Sequence, residues 1–411
     1  MYVTPFWSYR TAAADTLIVN EITGRRATLA AANLDALHYA YEHPAENLAD
    51  EVARAVTPLE IVFVDAAEAD RWLGSAMSAP RDALPLVDQI ELTNRCPYTC
   101  VMCPRTTSMQ RSLGSITLEL FERVIEQVCG GQDYLALHHF GESLLHPQID
   151  AAVRIALRHG VRSGLSCNPP SLTPGLSRRL LDAGIANLVL SLDSLDPATY
   201  RGIRGRAARL DKADRHLREL VSRRDDGGYD TWITLQMIAM RVNDAEIDRF
   251  LAYCAEVGVD RGVVVRLGRW DFDDDYIETL GQPDSPGYTP PCWLPQTSVV
   301  VLWDGRVVPC CHDYDGQVVL GDLTRHTLVD IWASPTAERF RRRNEEYELC
   351  RRCSFSRWYK EQQRVREGFF RFHRARHDTA ERSEWTNPAS LSRGDGRALF
   401  DRFDVYTREQ R

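Results

Sequence analysis

Short apolar runs alternate with longer amphipathic stretches through the middle of the chain. The stretches TLELFERVIEQV and NDAEIDRFLAYCAEVG carry apolar residues at helical spacing. Gly160, Gly184 and Gly258 close three such stretches, as glycine commonly does at a helix C-terminus. Strand-like runs precede the helical ones at 88–94, 134–140, 161–167, 186–193, 231–238 and 262–267. Six such repeats predict an α/β fold with a parallel sheet, and we expect a partial (β/α)6 TIM-like barrel.

The two ends of the chain follow other patterns. LIVNEITGRRATLA predicts a hairpin turning at Thr23–Gly24, with helices near 31–43 and 47–56, which together suggest a small α+β domain. SVVVLWDGRVVPC predicts a second hairpin, turning at Asp304–Gly305. The charged C-terminal residues show little periodicity and fit either a solvated extension or a helical cap. We therefore expect four units, at 1–82, 83–275, 276–366 and 367–411.

Composition narrows the possible functions. The chain has 411 residues, 44% of them hydrophobic, and a net charge of −8, which gives nucleic-acid binding no electrostatic support. The N-terminus lacks the pattern of a signal peptide, and no apolar run is long enough for a membrane helix. We expect a cytoplasmic protein, in which eleven cysteines indicate metal or catalytic chemistry rather than disulfides.

Three cysteines lie close together directly after the first predicted strand, in ELTNRCPYTCVMCPRTTS. Cys96, Cys100 and Cys103 have the spacing C-x3-C-x2-C, whereas a structural zinc site needs four ligands. A 4Fe–4S cube held by three thiolates keeps one iron free for another ligand. The missing fourth cysteine therefore favours an open cluster that binds an amino-acid-like cofactor.

This motif resembles the signature of the radical S-adenosylmethionine (SAM) superfamily, in which a bulky apolar residue, here Met102, precedes the third cysteine. The stretch HHFGESLLHP is similar to the family's glycine-rich motif after the second strand, although Phe140 and Ser143 replace a glycine and a proline. The resemblance implies further cofactor-binding residues, namely Gly141, Glu142, Asn168, Ser191, Asp193 and Arg266. It also implies reductive cleavage of SAM to a 5′-deoxyadenosyl radical that abstracts a substrate hydrogen, with flavodoxin or ferredoxin as electron donor.

A second cysteine group comprises Cys292, Cys310, Cys350 and Cys353, whose spacing alone suits zinc or iron–sulfur. Their order around Gly305, LGDL and DIW resembles the twitch domain, the short form of the SPASM domain. That resemblance implies one auxiliary 4Fe–4S cluster, and so two clusters in all. A fully ligated cluster suits electron transfer, which favours oxidation of a hydroxylated small molecule such as a sugar or aminocyclitol in natural-product biosynthesis.

Oxidation of an alcohol also needs a base, for which His139 and Asp193 are candidates at strand ends. Cys167 or Cys311 could instead return a hydrogen atom and give epimerisation, while Cys129 and Cys254 fit the core. Residues 1–82 resemble a winged-helix peptide-recognition domain, or are a cap over the barrel. The alternative functions are therefore epimerisation or crosslinking of a ribosomal peptide and, outside enzymes, iron–sulfur electron transfer.

Overall fold

A computed structural model describes the larger part of the chain, and the description below is confined to that part. The described residues are 2–3, 7–12, 15–20, 26–30, 33, 36–37, 50–64, 68, 85–128, 132, 134–268, 270, 274–281, 292, 294–353, 385–386 and 405–407. None of the helices within these ranges combines the length and apolar character that crossing a bilayer requires.

The N-terminal region forms a small antiparallel sheet. Strands β2 (Trp7–Ala12), β3 (Asp15–Asn20) and β4 (Arg26–Ala30) pair in sequence order, which confirms the predicted strands on either side of Thr23–Gly24. The two-residue strands β1 (Tyr2–Val3) and β5 (Val62–Phe63) pair separately. Ile18, Leu29 and Leu37 pack with apolar residues of the helix Asp50–Val56 and the turn after it in a core of their own.

The middle of the chain is the predicted parallel sheet with helices. Strands β6 to β11 pair in parallel in sequence order. Their bounds are β6 Leu86–Ile90, β7 Tyr134–Ala136, β8 Arg162–Cys167, β9 Asn187–Ser191, β10 Trp232–Ala239 and β11 Arg261–Arg266. The helices of this region span Pro104–Thr107, Leu118–Val128, Ile149–Arg158, Pro174–Ala183, Pro197–Arg204, Leu210–Asp226, Ile247–Val257 and Asp274–Leu280.

The helices cover one face of the sheet because their apolar residues recur on one side. Phe121, Leu180, Leu217 and Phe250, from four different helices, belong to one continuous core with the strand residue Leu188. Backbone conformation ends two of these helices as the sequence predicted: Gly184 and Gly258 adopt positive φ angles of 83° and 84°. The partial (β/α)6 barrel is therefore confirmed.

Other segments extend this sheet at both ends. Strands β12 (Ser298–Val301), β13 (Arg306–Val308) and β14 (Gly321–Asp322) form the predicted hairpin and a third strand, and β12 pairs in parallel with β6. At the opposite end, β16 (Val405–Thr407) pairs antiparallel with β11. β15 (Trp385–Thr386) joins the N-terminal sheet beside β2. The remaining helices of the C-terminal region span Leu294–Thr297, Leu328–Trp332, Pro335–Arg342 and Glu348–Arg351.

Two barrel strands end about four residues before the predicted apolar runs do. β6 ends at Ile90 rather than 94, and the carboxylate of the next residue, Glu91, accepts from the side chain of Arg111 and from the Phe140 N–H. β7 ends at Ala136 rather than 140, and the backbone N–H of Ser166 in β8 donates to the imidazole of His138. Polar side chains thus replace ladder hydrogen bonds where the barrel mouth begins.

Candidate active site

The three-cysteine loop follows β6 and rests against the end of a helix. The backbone N–H groups of Thr99 and Val101 donate to the carbonyls of Arg204 and Ile203, at 3.2 and 2.9 Å. Gly205, with φ of 84°, lies so close that a β-carbon there would come within 2.0 Å of Thr99 Oγ1. The GIRG stretch is therefore the support that fixes the loop.

Cys96, Cys100 and Cys103 are free thiols in this loop, and Cys100 is buried. Burial raises the pKa of Cys96 to about 11 and that of Cys100 to about 12, and the neighbouring thiols add to the rise. The three sulfurs therefore lie within electrostatic reach of one another in a site that disfavours unliganded thiolates. Metal coordination removes that penalty, because the ligand is the thiolate.

The loop after β7 leans against the entry of the cysteine loop. Gly141 has φ of 135°, and a β-carbon there would lie 2.1 Å from the carbonyl oxygen of Thr93. The N–H of Glu142 donates to the Arg95 carbonyl at 2.8 Å. Phe140, which stands in place of the family's first glycine, turns its ring edge-on to Trp270 and Tyr314. Glycine is thus required at 141, whereas 140 tolerates a side chain.

A buried polar network runs around the mouth from the second strand to the fourth. The Glu142 carboxylate accepts hydrogen bonds from the Asn168 backbone N–H at 2.9 Å and from its side-chain amide at 2.8 Å. Asn168 Oδ1 accepts from Arg204 Nη1 at 2.6 Å, and Arg204 Nε donates to Asp193. The second Asp193 oxygen accepts from the Ile238 N–H at 2.8 Å. Arg204 was missed by the sequence analysis and connects three of the residues that it named.

Burial has the largest effect on the ionisation of Glu142 in this network. Glu142 is fully buried, and burial raises the pKa of its carboxyl to about 7, although the Asn168 hydrogen bonds oppose the rise. Glu142 is therefore poised between its charged and neutral forms, and a cationic ligand would favour the carboxylate.

A buried ion pair joins the mouth to the C-terminal region. Arg111 donates both guanidinium Nη groups to Glu91, and its Nε donates to the Tyr314 carbonyl at 2.6 Å. Glu91 also accepts from the Trp303 N–H at 3.3 Å, and Asp315 Oδ1 accepts from the Arg111 N–H at 2.9 Å. This contact places the hairpin turn at 303 beside the loop that carries the three cysteines.

The other proposed cofactor residues are placed as follows. Met102 is buried in the main core beside the cysteine loop. Ser191 ends β9 and is 8% exposed. Arg266 ends β11, but its side chain lies outside the described part of the structure.

The second cysteine group also comes together. Burial raises the pKa of Cys310 well above its ordinary value, and Cys311, Cys350, Cys353 and Cys292 add to the rise. Cys350 belongs to the helix Glu348–Arg351, and the N–H of Cys353 bonds to its carbonyl at 3.1 Å. Three separate segments therefore bring four predicted ligands within electrostatic reach of one another.

The candidates for proton or hydrogen transfer lie in different environments. His139 Nδ1 is 2.9 Å from Gln89 Oε1, its Nε2 is covered by protein, and burial lowers the pKa of the ring well below its ordinary value. Cys167 is buried at the end of β8, where burial and then Glu142 raise its pKa. Cys311 packs against Val300 and Val308. Cys254 lies in the core as predicted, and Cys129 lies outside the described residues.

The donor sets fit iron–sulfur clusters in number and chemistry. Within the described ranges, no three His, Cys, Asp or Glu side chains converge as ligands of a single metal ion. A 4Fe–4S cube binds each thiolate through a different iron, so its cysteines surround a cube rather than a point.

Comparison with known proteins identifies two domains. Residues 90–254 match the model of the radical SAM superfamily, and residues 292–354 match SPASM, an iron–sulfur cluster-binding domain. The chain therefore carries a radical SAM domain and a SPASM domain. The radical SAM protein is thus an enzyme whose cofactors are SAM and iron–sulfur, and the SPASM match spans all four cysteines of the second group.

Individual relatives of this radical SAM protein are distant. The SAM-dependent 2-deoxy-scyllo-inosamine dehydrogenase of Niallia circulans is 22% identical over 283 residues, which cover 66% of this chain and 94% of the relative. The PqqA peptide cyclase of Gluconobacter oxydans is 25% identical over 317 residues, which cover 67% and 84%. The structure of Streptococcus suis SuiB bound to S-adenosylmethionine has a TM-score of 0.53 at 14% identity, covering 84% of this chain and 90% of SuiB. That likeness supports the fold.

Proposed function

We propose that this radical SAM protein is an oxidoreductase that dehydrogenates a hydroxylated small molecule, such as a sugar or aminocyclitol, in natural-product biosynthesis. The observation that carries the proposal is the network of Glu142, Asn168, Arg204 and Asp193 beside a loop with three cysteines. A second set of four cysteines lies in the region linked to that mouth by the Glu91–Arg111 pair. The dehydrogenase relative points to the same chemistry.

In this proposal Cys96, Cys100 and Cys103 hold the first 4Fe–4S cluster, and Cys292, Cys310, Cys350 and Cys353 hold an auxiliary one. When bound, these cofactors supply an electron that cleaves SAM, a 5′-deoxyadenosyl radical that removes a substrate hydrogen, and an acceptor for the second electron. Reduction of the first cluster needs an external donor such as flavodoxin or ferredoxin.

The residues of the mouth would bind and orient SAM. Glu142 and the backbone at Gly141 would receive its amino group, and the raised pKa of Glu142 suits a carboxylate that becomes charged against a cation. Asn168, Ser191 and Met102 would line the rest of the cofactor site, and Arg266 would meet the methionyl carboxylate. Asp193 would act through Arg204, since both of its oxygens accept hydrogen bonds from the protein.

The proposed domains follow the same division of work: 83–275 as the SAM-binding barrel, 276–366 as the auxiliary domain, and 1–82 and 367–411 as flanking units. His139 remains the candidate base. Cys167 and Cys311 remain candidate hydrogen donors for a redox-neutral outcome.

The proposed function can be tested by following the transfer of a substrate hydrogen atom to 5′-deoxyadenosine. Reconstituted, reduced protein is incubated with SAM and a panel of aminocyclitols and sugars deuterated at their ring carbons. We expect deuterium in 5′-deoxyadenosine together with a ketone about three mass units lighter than the deuterated alcohol, because one ring deuterium and one hydroxyl hydrogen are lost. Deuterium transfer without a ketone would contradict oxidation and favour epimerisation.

Maturation of a ribosomal peptide is the second candidate, because the N-terminal antiparallel sheet could take a leader peptide as an added strand. Strand β4 has no partner on its outer side among the described residues, whereas β15 covers the β2 edge. The PqqA peptide cyclase relative points the same way. A precursor peptide that stimulates SAM cleavage and changes mass itself, while the panel does neither, would favour this candidate.

A further inference from the structure

The barrel strands have two faces with different burial. On the outer face Leu165, Leu235, Met237 and Val264 are at most 2% exposed and belong to the core shared with the helices. The register of the parallel pairs places the alternate residues on the inner face. Towards the mouth these include Gln89, Ala136, Ser166, Ser191, Gln236 and Val265, while Arg162 and Arg261 lie on the same face at the opposite end of the strands.

Towards the mouth the inner face opens. Ser166, Gln236, Ile238 and Val265 are partly exposed, whereas the outer-face residues Cys167, Leu235, Met237 and Val264 beside them are buried. These side chains carry hydroxyl, amide and apolar groups but no charge. These groups suit contact with a hydroxyl-bearing ring, which offers both polar oxygens and apolar C–H faces.

His138 continues the inner-face alternation of Tyr134 and Ala136 just beyond the end of β7. Its Nδ1 accepts a hydrogen bond from the Ser166 N–H at 3.1 Å. A neutral imidazole that accepts at Nδ1 carries its proton on Nε2. Burial lowers the pKa of His138 to about 4, so the ring stays neutral at pH 7. His138 thus presents a fixed, uncharged N–H donor that has no protein acceptor among the described residues.

The neighbouring histidine is held differently. His139 pairs with Gln89 through Nδ1, packs edge-on against Phe140, and has an Nε2 covered by protein. His138 is therefore the better placed of the two for contact with a ligand in the lumen. It lies four residues before Glu142, at the same strand end as the proposed SAM contacts.

We propose that His138 is a substrate-binding residue whose Nε2–H donates a hydrogen bond to an oxygen atom of a hydroxylated ring in the barrel lumen. This inference rests on the proposed function. A hydroxyl oxygen accepts the bond before oxidation and the ketone oxygen accepts it afterwards. The contact therefore holds the substrate ring in place throughout the reaction and orients one of its C–H bonds for hydrogen abstraction.

Two substitutions separate this role from a structural one. In His138→Asn the amide oxygen can still accept from the Ser166 N–H, but nothing reaches the position of Nε2. In His138→Gln the amide can reach that position, but the acceptor for Ser166 is lost. His216→Asn is the matched control, since His216 is a buried histidine on the helix Leu210–Asp226 that bonds to the Pro169 carbonyl.

The experiment uses the reconstituted full chain with scyllo-inositol, 2-deoxy-scyllo-inosamine and glucose. For any ring that the wild type oxidises, we expect His138→Asn to raise KM about tenfold, the value of one hydrogen bond. The ketone formed per 5′-deoxyadenosine should also fall. We expect His138→Gln and His216→Asn to stay within about threefold of wild type on both measures.

The possible outcomes distinguish a failure of the role of His138 from a failure of the proposed function. If the wild type oxidises a ring and His138→Asn keeps its KM and coupling, the proposed function stands and the role of His138 is refuted. If His138→Gln impairs KM and coupling while His138→Asn does not, the imidazole matters only for its bond with Ser166. That result would also refute the proposed role of His138. If the wild type oxidises none of the three rings, the proposed function fails for this class and the role of His138 fails with it.

A spectroscopic measurement covers the case in which the variants do not fold. Full-length protein labelled with [15N]histidine reports the tautomer of each ring, and His138 should give the neutral Nε2–H form at pH 7. An Nδ1–H form, or a cationic ring at pH 6.5, would overturn the inference.

Discussion

The two cysteine groups differ in what surrounds them. Around Cys96, Cys100 and Cys103 the protein places a connected polar network, with a carboxyl on one side and a guanidinium on the other. At the second group Cys311 lies among Val300, Leu302 and Val308, and the helix carrying Cys350 packs into the main core. One group follows a single strand, whereas the other is assembled from three separate segments.

This difference in surroundings indicates two different uses of cysteine thiolates as cluster ligands. Three thiolates beside a polar wall leave a place for a charged, amino-acid-like cofactor and provide groups that hold it. Four thiolates complete the coordination of a cube, which then exchanges electrons without binding anything. The Glu91–Arg111 pair connects the two regions, because it also bonds to the backbone of Trp303 and Tyr314.

Removing the three mouth cysteines should have the largest effect. In Cys96→Ala/Cys100→Ala/Cys103→Ala we expect no detectable 5′-deoxyadenosine from reduced protein, because the cluster that binds SAM is lost. Cys254→Ala, at a buried cysteine outside both groups, should cleave SAM at the wild-type rate. SAM cleavage by the triple variant would remove the distinction between the two groups.

Removing two cysteines of the second group should uncouple SAM cleavage from ketone formation. In Cys350→Ala/Cys353→Ala we expect SAM cleavage to persist while ketone formation falls at least about 100-fold, since the second electron has no acceptor. The measurement is the ratio of ketone to 5′-deoxyadenosine. An unchanged ratio would show that oxidation does not need the second group.

The buried polar network at the mouth can be disrupted at Arg204. Arg204→Met leaves the buried Asp193 carboxylate without its cation, and we expect unfolding of the iron-free protein to lose about 3–5 kcal/mol. Arg218, whose ion pairs with Asp214 and Glu256 lie on an exposed helix face, is the control. Arg218→Met should cost less than about 1 kcal/mol. Equal losses in urea titrations would mean that the network does not depend on Arg204.

The smallest predicted effect concerns pH. The pKa of His138 is lowered from 6.5 to about 4 by burial, so below pH 6.5 the unfolded chain binds a proton that the folded chain refuses. Stability should therefore fall as pH drops from 6.5 to 4, by up to about 3 kcal/mol more in wild type than in His138→Gln. Denaturant titrations of the iron-free protein at pH 7 and 4.5 measure this difference. Parallel curves would contradict a buried neutral ring.

Local patterns were sufficient for most of the barrel. Strand and helix runs, the glycines at helix ends and the Asp304–Gly305 hairpin all follow from neighbouring residues, and so does the three-cysteine loop. Glu142 and Asn168 were found through the resemblance to the family's motifs, and both follow strands whose ends meet at one mouth. These features depend on short sequence separations.

The missed features depend on long-range pairing. Arg204 looks like an ordinary basic residue at a helix end, and only the fold brings it to Asp193 and Asn168. His138 could not be distinguished from His139 before the end of β7 was known. The parallel pairing of β12 with β6 joins residues more than 200 positions apart, and no local pattern encodes it.

The central claim is that two clusters occupy these two groups, and metal content tests it directly. Iron and acid-labile sulfide are measured per chain after anaerobic reconstitution of the wild type, the triple mouth variant and the Cys350→Ala/Cys353→Ala variant. The account predicts about eight irons in the wild type and about four in each variant. About four irons in the wild type, falling to none in the triple variant, would contradict it.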